Sequence, residues 1–217
     1  MQLPLIILNN LFALNNISAD PSDLGPAQTL INNDLKNAHI EWRKLFRKQK
    51  ALSDKVIKKY QGSNSWPDMV SEASAKLFKG ECVAQKVIDN VKELEKRIVS
   101  FSLPIPAGQH LYRGANLSNP CIDSIFREGR FLSTSLSPVV AILHAKKREL
   151  QGGDPWILDI TVDNNISGLY LTPQSLTGEW EVLFPCGANF IVNRILPAIR
   201  SGCFRVAEVS LVSFDAP

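Results

Sequence analysis

The sequence of 217 residues has few cysteines and histidines, and none of them are grouped. The four cysteines contain no C-x-x-C pair; they are Cys82, Cys121, Cys186 and Cys203. Such wide spacing excludes a disulfide framework and favours a reducing compartment. The three histidines lie far from one another and from any cysteine pair; they are His39, His110 and His144. The sequence therefore gives no support for a zinc site, and we expect no metal.

The sequence also lacks a long apolar run. The apolar stretch from Leu3 to Leu14 is interrupted by Asn9 and Asn10, and the first basic residue is Lys36. We therefore expect no transmembrane span, no membrane partner and no cleaved secretory signal. Residues 1–34 are interpreted as an N-terminal extension, either partly disordered or used for secretion or interaction, and residues 35–217 as a single domain.

The net charge is small, at +3, and it is concentrated in one segment. Basic residues cluster at Arg43, Lys44, Arg47, Lys48, Lys50, Lys55, Lys58 and Lys59. Apolar residues recur between them at helical spacing; they are Trp42, Leu45, Phe46, Leu52 and Val56. The pattern predicts one amphipathic helix. Its basic face is either merely solvated or a surface for an acidic or RNA-associated partner, and direct binding of nucleic acid is not expected.

Hydrophobic periodicity divides the chain into a helical first half and a strand-rich second half. Ser65 to Asp68 is typical of a helix start, and apolar residues from Val83 to Ile98 follow a helical period, with Glu93 placed to pair with Arg97. Later segments are rich in β-formers and bounded by Gly, Pro or Asn; they are Trp156 to Val162, Glu181 to Phe184, Asn189 to Val192 and Phe204 to Phe214. With 45% hydrophobic residues, the chain can form one α+β domain.

Two carboxylates, Glu179 and Glu181, stand two residues apart at the start of an apolar strand. In an extended chain, residues i and i+2 point the same way, so both side chains can face one cleft. An E-x-E pair is also common as two solvated strand residues.

Two shorter motifs precede this pair. Leu111 to Gly114 predicts a strand in which Arg113 comes just before a glycine that would let a ligand approach the backbone. Phe131 to Ser135 predicts a second strand with hydroxyls on both faces, and Ser137-Pro138 predicts the start of a helix. Taken singly, the arginine could be an ion-pair partner and the hydroxyls a strand edge.

With these motifs in the order Arg113, Ser133, Glu181, the sequence resembles the mono-ADP-ribosyltransferases of the Arg-Ser-Glu group. That group includes the enzymatic components of clostridial binary toxins, vertebrate ecto-enzymes, effectors of plant pathogens and modifying enzymes of T-even phages. Upstream, Val56 to Ser63 resembles the family's tyrosine-and-glycine turn between two helices. The resemblance covers about residues 35 to 215 and implies an α+β fold, in which N-terminal helices precede two roughly perpendicular, antiparallel-rich sheets around an NAD cleft.

The resemblance also implies roles in NAD chemistry. Arg113 would bind phosphate oxygens and a ribose hydroxyl, and Gly114 would offer its backbone to the nicotinamide carboxamide. Phe131 would pack on the nicotinamide ring, although a core position is the alternative. Ser133 would orient Glu181, the catalytic carboxylate that opposes the positive charge developing on the ribose.

The residues beside Glu181 indicate which side chain of the target protein receives ADP-ribose. In the family, a glutamate at the position of Glu179 accompanies transfer to arginine. Trp180 departs from the family pattern and is either a contact for the target protein or an inward-facing strand residue. The turn-rich stretch from Leu171 to Gly178 corresponds to the target-recognition loop, and Arg148 could contact phosphate.

We therefore expect an enzyme that transfers ADP-ribose from NAD to an arginine of a target protein. Two alternatives remain open: a catalytically silent protein-binding module with the same fold, and an NAD glycohydrolase. A bacterial effector or toxin that reaches a host cytosol without a cleaved signal is the leading interpretation, followed by a phage modifying enzyme that acts inside an infected cell.

Overall fold

The computed structural model describes residues 3–8, 14–48, 50–62, 65–163, 166–171 and 179–215. The helices within these ranges are α1 (Pro21–Lys48), α2 (Lys55–Gly62), α3 (Trp66–Phe78), α4 (Gln85–Phe101) and α5 (Pro138–Leu150), with short 3-10 turns at Leu14–Asn16 and Ala51–Ser53. None of the described helices is both long enough and apolar enough to cross a membrane.

The prediction of one amphipathic helix from Trp42 to Val56 is wrong. Helix α1 ends at Lys48, and Lys50 adopts a left-handed backbone with φ of 57°. Helix α2 then begins at Lys55, where the Asp54 carboxylate accepts backbone hydrogen bonds from Val56 and Ile57 at 2.8 and 3.2 Å. A carboxylate that satisfies free N–H groups is a helix cap, and this cap sets the new start.

Nine strands follow the first four helices in the described ranges. They are β1 (Leu103–Pro104), β2 (His110–Asn116), β3 (Ile125–Glu128), β4 (Leu132–Ser135), β5 (Pro155–Val162), β6 (Ser167–Leu171), β7 (Glu181–Phe184), β8 (Ala188–Leu196) and β9 (Arg205–Phe214). They are hydrogen-bonded in the order β1-β6-β7-β4-β2-β5-β9-β8-β3. Every pairing is antiparallel except β5 with β9. The predicted α+β fold with antiparallel-rich sheets is confirmed.

Near the centre of the strand order, two neighbouring strands are joined by very few paired residues. Strands β2 and β4 are paired through one residue pair, Tyr112 with Ser135, whereas β2 pairs with β5 along seven residues. The two expected sheets are therefore two halves, β1-β6-β7-β4 and β2-β5-β9-β8-β3, joined at this pair. The join lies where the predicted site residues converge.

The N-terminal residues contribute to the same core. Leu3, Ile6 and Leu8 are buried, and the Gln109 side chain both accepts from the Ile6 backbone N–H at 2.8 Å and donates to its carbonyl at 3.2 Å. Helix α1 runs without interruption across the expected boundary between residues 34 and 35. The division into an extension and a catalytic domain stays a prediction, although buried side chains lie on both sides of that boundary.

Candidate active site

Three neighbouring strands bring the three motif residues together. Arg113 lies on β2, Ser133 on β4 and Glu181 on β7, which are adjacent in the order β7-β4-β2. Glu181 begins its strand opposite Ser135 of β4, and Ser135 in turn is paired with Tyr112, the residue before Arg113. The register thus gathers side chains that are separated by 20 and 48 positions in the sequence.

The Glu181 carboxylate is held by two hydroxyl groups. Ser133 Oγ donates to Glu181 Oε1 at 2.6 Å, and the Tyr60 hydroxyl of α2 donates to the same oxygen at 2.9 Å. Burial raises the pKa of Glu181, the two hydrogen bonds oppose that rise, and the nearby charge of Glu179 adds to it. Burial and the charge of Glu181 likewise raise the pKa of Tyr60, so Tyr60 remains a hydrogen-bond donor.

The Arg113 guanidinium is fixed by the β3–β4 region. Its Nη1 donates to the backbone carbonyl of Ser133 at 2.6 Å, and its Nη2 lies 3.4 Å from the Glu128 carboxylate. The other carboxylate oxygen of Glu128 accepts from the Arg130 backbone N–H at 3.1 Å. Only 11% of the Arg113 side chain is exposed, so its fork is held rigidly beside Ser133.

Gly114 is required by close packing. A Cβ at this position would lie 2.5 Å from the backbone N of Ala145 and 2.6 Å from the carbonyl of Ala141, both in α5. The Gly114 carbonyl accepts a hydrogen bond from Arg148 Nε at 3.2 Å. Glycine at this site lets α5 approach β2, and that approach places Arg148 next to Arg113.

A cavity of about 400 Å³ opens beside these groups. Its lining includes Tyr60, Arg113, Arg130, Phe131 and Arg148. Three guanidinium groups thus line one cavity, and burial, followed by the charges of Arg113 and Arg130, lowers the pKa of Arg148. A second cavity of about 570 Å³ shares the same three arginines. This arrangement suits an elongated anion, and the volumes are typical of small-molecule sites.

Phe131 occupies a core position at the wall of the first cavity, and its contact with a nicotinamide ring stays a prediction. Its side chain is almost fully buried, as in a core position, yet it also lines the first cavity. It is therefore placed to form an apolar wall for a flat ring.

The E-x-E segment differs from the extended geometry assumed for it. Strand β7 begins at Glu181, and Trp180 before it has a left-handed φ of 48°, so Glu179 and Glu181 are not alternate residues of one strand. Ser135 Oγ donates to the Glu179 carbonyl at 2.5 Å, and the Leu136 N–H donates to the Trp180 carbonyl at 3.0 Å. These bonds hold the bend, and the Glu179 side chain is exposed.

Trp180 packs partly buried against the core, in agreement with the inward-facing alternative. Its contact with a target stays a prediction. In the expected target-recognition loop, residues 172–178 lie outside the described residues.

Sequence reasoning missed several residues of the cavity region as site residues, and four of them contribute to its charge or hydrogen bonds. Tyr60 was noted only within a supposed turn, but it lies in α2 and contacts Glu181. Arg130 and His144 line the cavity, and Glu128 holds Arg113. Burial lowers the pKa of His144. Arg130 carried a usable signal, since it directly precedes the Phe131 motif. Within the described ranges, no group of three or more His, Cys, Asp or Glu side chains could hold a metal ion.

Comparisons with known proteins agree with this architecture. The family model for the ADP-ribosyltransferase exoenzyme domain matches residues 79–207, which include all three motifs. No curated protein matches the chain by sequence.

Among solved structures, C3larvin, an ADP-ribosyltransferase toxin from Paenibacillus larvae, is similar with a TM-score of 0.56 and 14% identity, over 80% of this chain and 93% of that one. Plx2a, a toxin of the same type and organism, has a TM-score of 0.53 and 14% identity over 88% and 97% of the two chains. The enzymatic component C2-I of the Clostridium botulinum C2 toxin has a TM-score of 0.53 and 14% identity, over 75% of this chain and 44% of that one. At such identity these likenesses show the fold alone.

Proposed function

Because the chain belongs to the ADP-ribosyltransferase exoenzyme family, which is of the bacterial toxin type, we propose that it transfers ADP-ribose from NAD to a protein arginine and releases nicotinamide. One observation carries the proposal: the Glu181 carboxylate is held by Ser133 and Tyr60 next to an arginine-lined cavity. A binding module would have no need to bury a carboxylate in this way, because burial of a charge is costly.

The residues that line the cavity fit NAD as the substrate. Arg113, Arg130 and Arg148 would bind the pyrophosphate and ribose oxygens, since planar guanidinium groups match the geometry of phosphate. Phe131 would contact the nicotinamide ring, and Gly114 would offer its backbone to the carboxamide. The Gly114 carbonyl already accepts from Arg148, so the proposed carboxamide contact requires this bond to be shared or exchanged.

Glu181 is the proposed catalytic residue. Its ionised carboxylate would hold a ribose hydroxyl and oppose the positive charge that develops on the ribose as the bond to nicotinamide breaks. Ser133 and Tyr60 donate to one oxygen of the carboxylate and leave the other for the substrate. Because burial raises the pKa of Glu181, these hydrogen bonds support catalysis by favouring the ionised form.

Glu179 is proposed to receive the target arginine. It is exposed, and its charge is near enough to Glu181 to raise the pKa of that group, so an acceptor guanidinium bound by Glu179 would lie beside the reacting ribose. A carboxylate in this place can orient the guanidinium and help to take its proton. Trp180 would contact the target only through its exposed part.

The proposed setting is the cytosol of a host or infected cell, with the protein acting as an effector or toxin. The four free cysteines support a reducing compartment, since none is paired.

Labelled NAD and a cell lysate test the proposal. We expect the wild type to release nicotinamide and to label discrete protein bands, and Glu181→Gln to lose both activities by at least about a hundredfold. Glu179→Gln should keep nicotinamide release but lose label on arginine. Glu208→Gln, a half-buried β9 residue that does not line the cavity, is the matched control and should behave as the wild type.

Each outcome separates the alternatives. Label that survives hydroxylamine treatment of wild-type products, or a Glu179→Gln variant that still labels arginine, contradicts arginine transfer through Glu179. Nicotinamide release without protein label identifies a glycohydrolase. Absence of both activities in bacterial and eukaryotic lysates leaves the binding module.

A further inference from the structure

Basic residues are concentrated on two helices beside the proposed site. Nine of the 24 basic residues and two of the 21 acidic residues lie between Lys36 and Lys59, so this segment carries +7 and the rest of the chain −4. Among the exposed basic side chains of this segment, six define what we call the basic rim: Arg43, Arg47, Lys50, Lys55, Lys58 and Lys59. Positive charge is therefore concentrated in one segment of the protein. The proposed catalytic chemistry does not use this charge.

Packing places the two helices of the rim on opposite faces of the strand that begins with Glu181. On α1, Trp42 and Phe46 contact the Tyr170 ring of β6 with centroid distances of 5.5 and 5.9 Å. Tyr170 pairs with Val182, the residue after Glu181, so α1 covers the face of the sheet opposite the one from which the Glu181 side chain projects. Since Trp42 and Phe46 face the sheet, Arg43 and Arg47, one turn apart on α1, are carried on its exposed side.

Helix α2 lies on the other face of this strand, where it contacts the Glu181 carboxylate. Tyr60 and Ile57 face inward, and the Tyr60 hydroxyl bonds to Glu181. Lys55 and Lys58 occupy the exposed side of this helix. An α-helix with its side chains is only about 10–12 Å wide. A molecule bound to these lysines is therefore separated from the cleft by no more than this width.

We propose that the basic rim docks an acidic protein surface that surrounds the arginine to be modified. This rests on the proposed transfer to arginine. A lone target arginine would be repelled by the rim, whereas an arginine set among glutamates and aspartates is attracted and steered to Glu179. The partner must also present a guanidinium to Glu179, and neither a lipid surface nor the phosphate backbone of a nucleic acid carries one.

The aromatic residues near the rim also favour a protein partner over single-stranded nucleic acid. Trp42 and Phe46 are fully buried, and Trp66 is 8% exposed with Lys59 Nζ 4.7 Å from its ring centroid. In the described part of this surface, these rings are not open for the base stacking that such nucleic acids use.

Two synthetic peptides with one arginine each test the proposal, one with glutamates on both sides of the arginine and one with glutamines. At low salt we expect kcat/KM for label transfer to be about tenfold higher for the acidic peptide. The variant Arg43→Glu/Lys55→Glu/Lys58→Glu should reduce this preference to about twofold or less, as should 0.5 M NaCl. Nicotinamide release without peptide should be unchanged, because the three residues are exposed and do not line the cavity.

A matched variant of equal charge, Lys86→Glu/Lys92→Glu/Lys96→Glu on α4, separates position from net charge and should keep the preference. Equal rates for the two peptides, or equal losses in the two triple variants, would overturn the proposal.

If neither peptide is labelled although NAD is cleaved, arginine transfer has failed, and fluorescence anisotropy of the labelled acidic peptide tests the rim directly. Binding that is lost in the rim variant alone supports the proposal. Equal binding by all variants refutes it, as does tighter rim-dependent binding of polyuridine RNA or phosphatidylserine vesicles.

Discussion

The two faces of strand β2 carry the same kinds of charged side chain in opposite environments. Toward the cleft, Arg113 is 11% exposed and is held by Ser133 and Glu128. Three residues earlier, and so on the other face, His110 is 46% exposed and lies 2.7 Å from Asp159.

The outer face continues across the neighbouring strands as exposed ion pairs. Arg194 of β8 bonds to Glu208 of β9 through Nε at 2.7 Å, with 61% of the arginine side chain exposed. Such pairs contribute little to stability because water already solvates them. The charged side chains of the cleft, in contrast, are desolvated, which costs free energy of folding. Such a cost indicates that these side chains serve function rather than stability.

The largest effect is expected where the cleft face is most tightly packed. Gly114→Ala would press its Cβ against backbone atoms of Ala141 and Ala145, so α5 must move, at a cost of about 1–3 kcal/mol in the free energy of unfolding. Gly25→Ala, in α1 with no atom within 4 Å of the added Cβ, should stabilise the protein slightly. Urea denaturation of both variants measures the contrast, and equal stability would show that close packing under the cleft is not needed.

A smaller effect, on rate rather than on folding, is expected from Tyr60→Phe. This variant removes one donor to the Glu181 carboxylate, so nicotinamide release should fall about tenfold. The lost bond favours the ionised form, so the pKa of Glu181 should rise further and the acidic limb of the pH–rate profile should move to higher pH. Tyr112→Phe removes a buried hydroxyl from the other face of β2 and should leave the limb in place.

If the acidic limb of the pH–rate profile does not move in Tyr60→Phe, Ser133 alone sets the ionisation of Glu181. Equal shifts in both tyrosine variants would mean that the change is not local to the cleft.

The smallest effect, on the pH dependence of stability, is expected on the outer face of β2. The hydrogen bond to Asp159 raises the pKa of His110 above its ordinary value of 6.5, so the pair stabilises the fold fully below that pH. This stability is lost as the pH rises through the folded-state pKa of His110. The loss should be under about 1 kcal/mol, as is usual for exposed pairs. Asp159→Asn should flatten this dependence in denaturation curves measured from pH 6 to 8.5, and an unchanged slope would exclude the pair as its source.

The features that could be predicted from the sequence are those that depend on neighbouring residues along the chain. The strands that carry Arg113, Ser133 and Glu181 follow from their β-forming residues and turn residues, and the pairing of Glu93 with Arg97 follows from helical spacing and is present at 2.6 Å. Such features involve neighbours along the chain.

The parts that were missed depend on distant contacts or on special backbone angles. Tyr60 contacts Glu181 across 121 positions, and no local pattern gives that distance. The left-handed backbone of Trp180 is held because the Glu179 carbonyl accepts from Ser135 and the Trp180 carbonyl accepts from Leu136, whereas alternation along a strand assumes extended geometry. The cap by Asp54 was a local signal, but the continuous apolar period around it concealed the break.

The position of β9 has a consequence for biosynthesis. This strand is the last in the described chain, yet it lies between β5 and β8 and forms the parallel pairing of the sheet. Until residues 205–214 have been translated and released, β5 and β8 each present an open hydrogen-bonding edge of the kind that recruits other chains. Cotranslational folding can therefore assemble the helices and the β6-β7-β4 half early, but the β5 strand that pairs with the Arg113 strand gains its second neighbour only after β9 has been made.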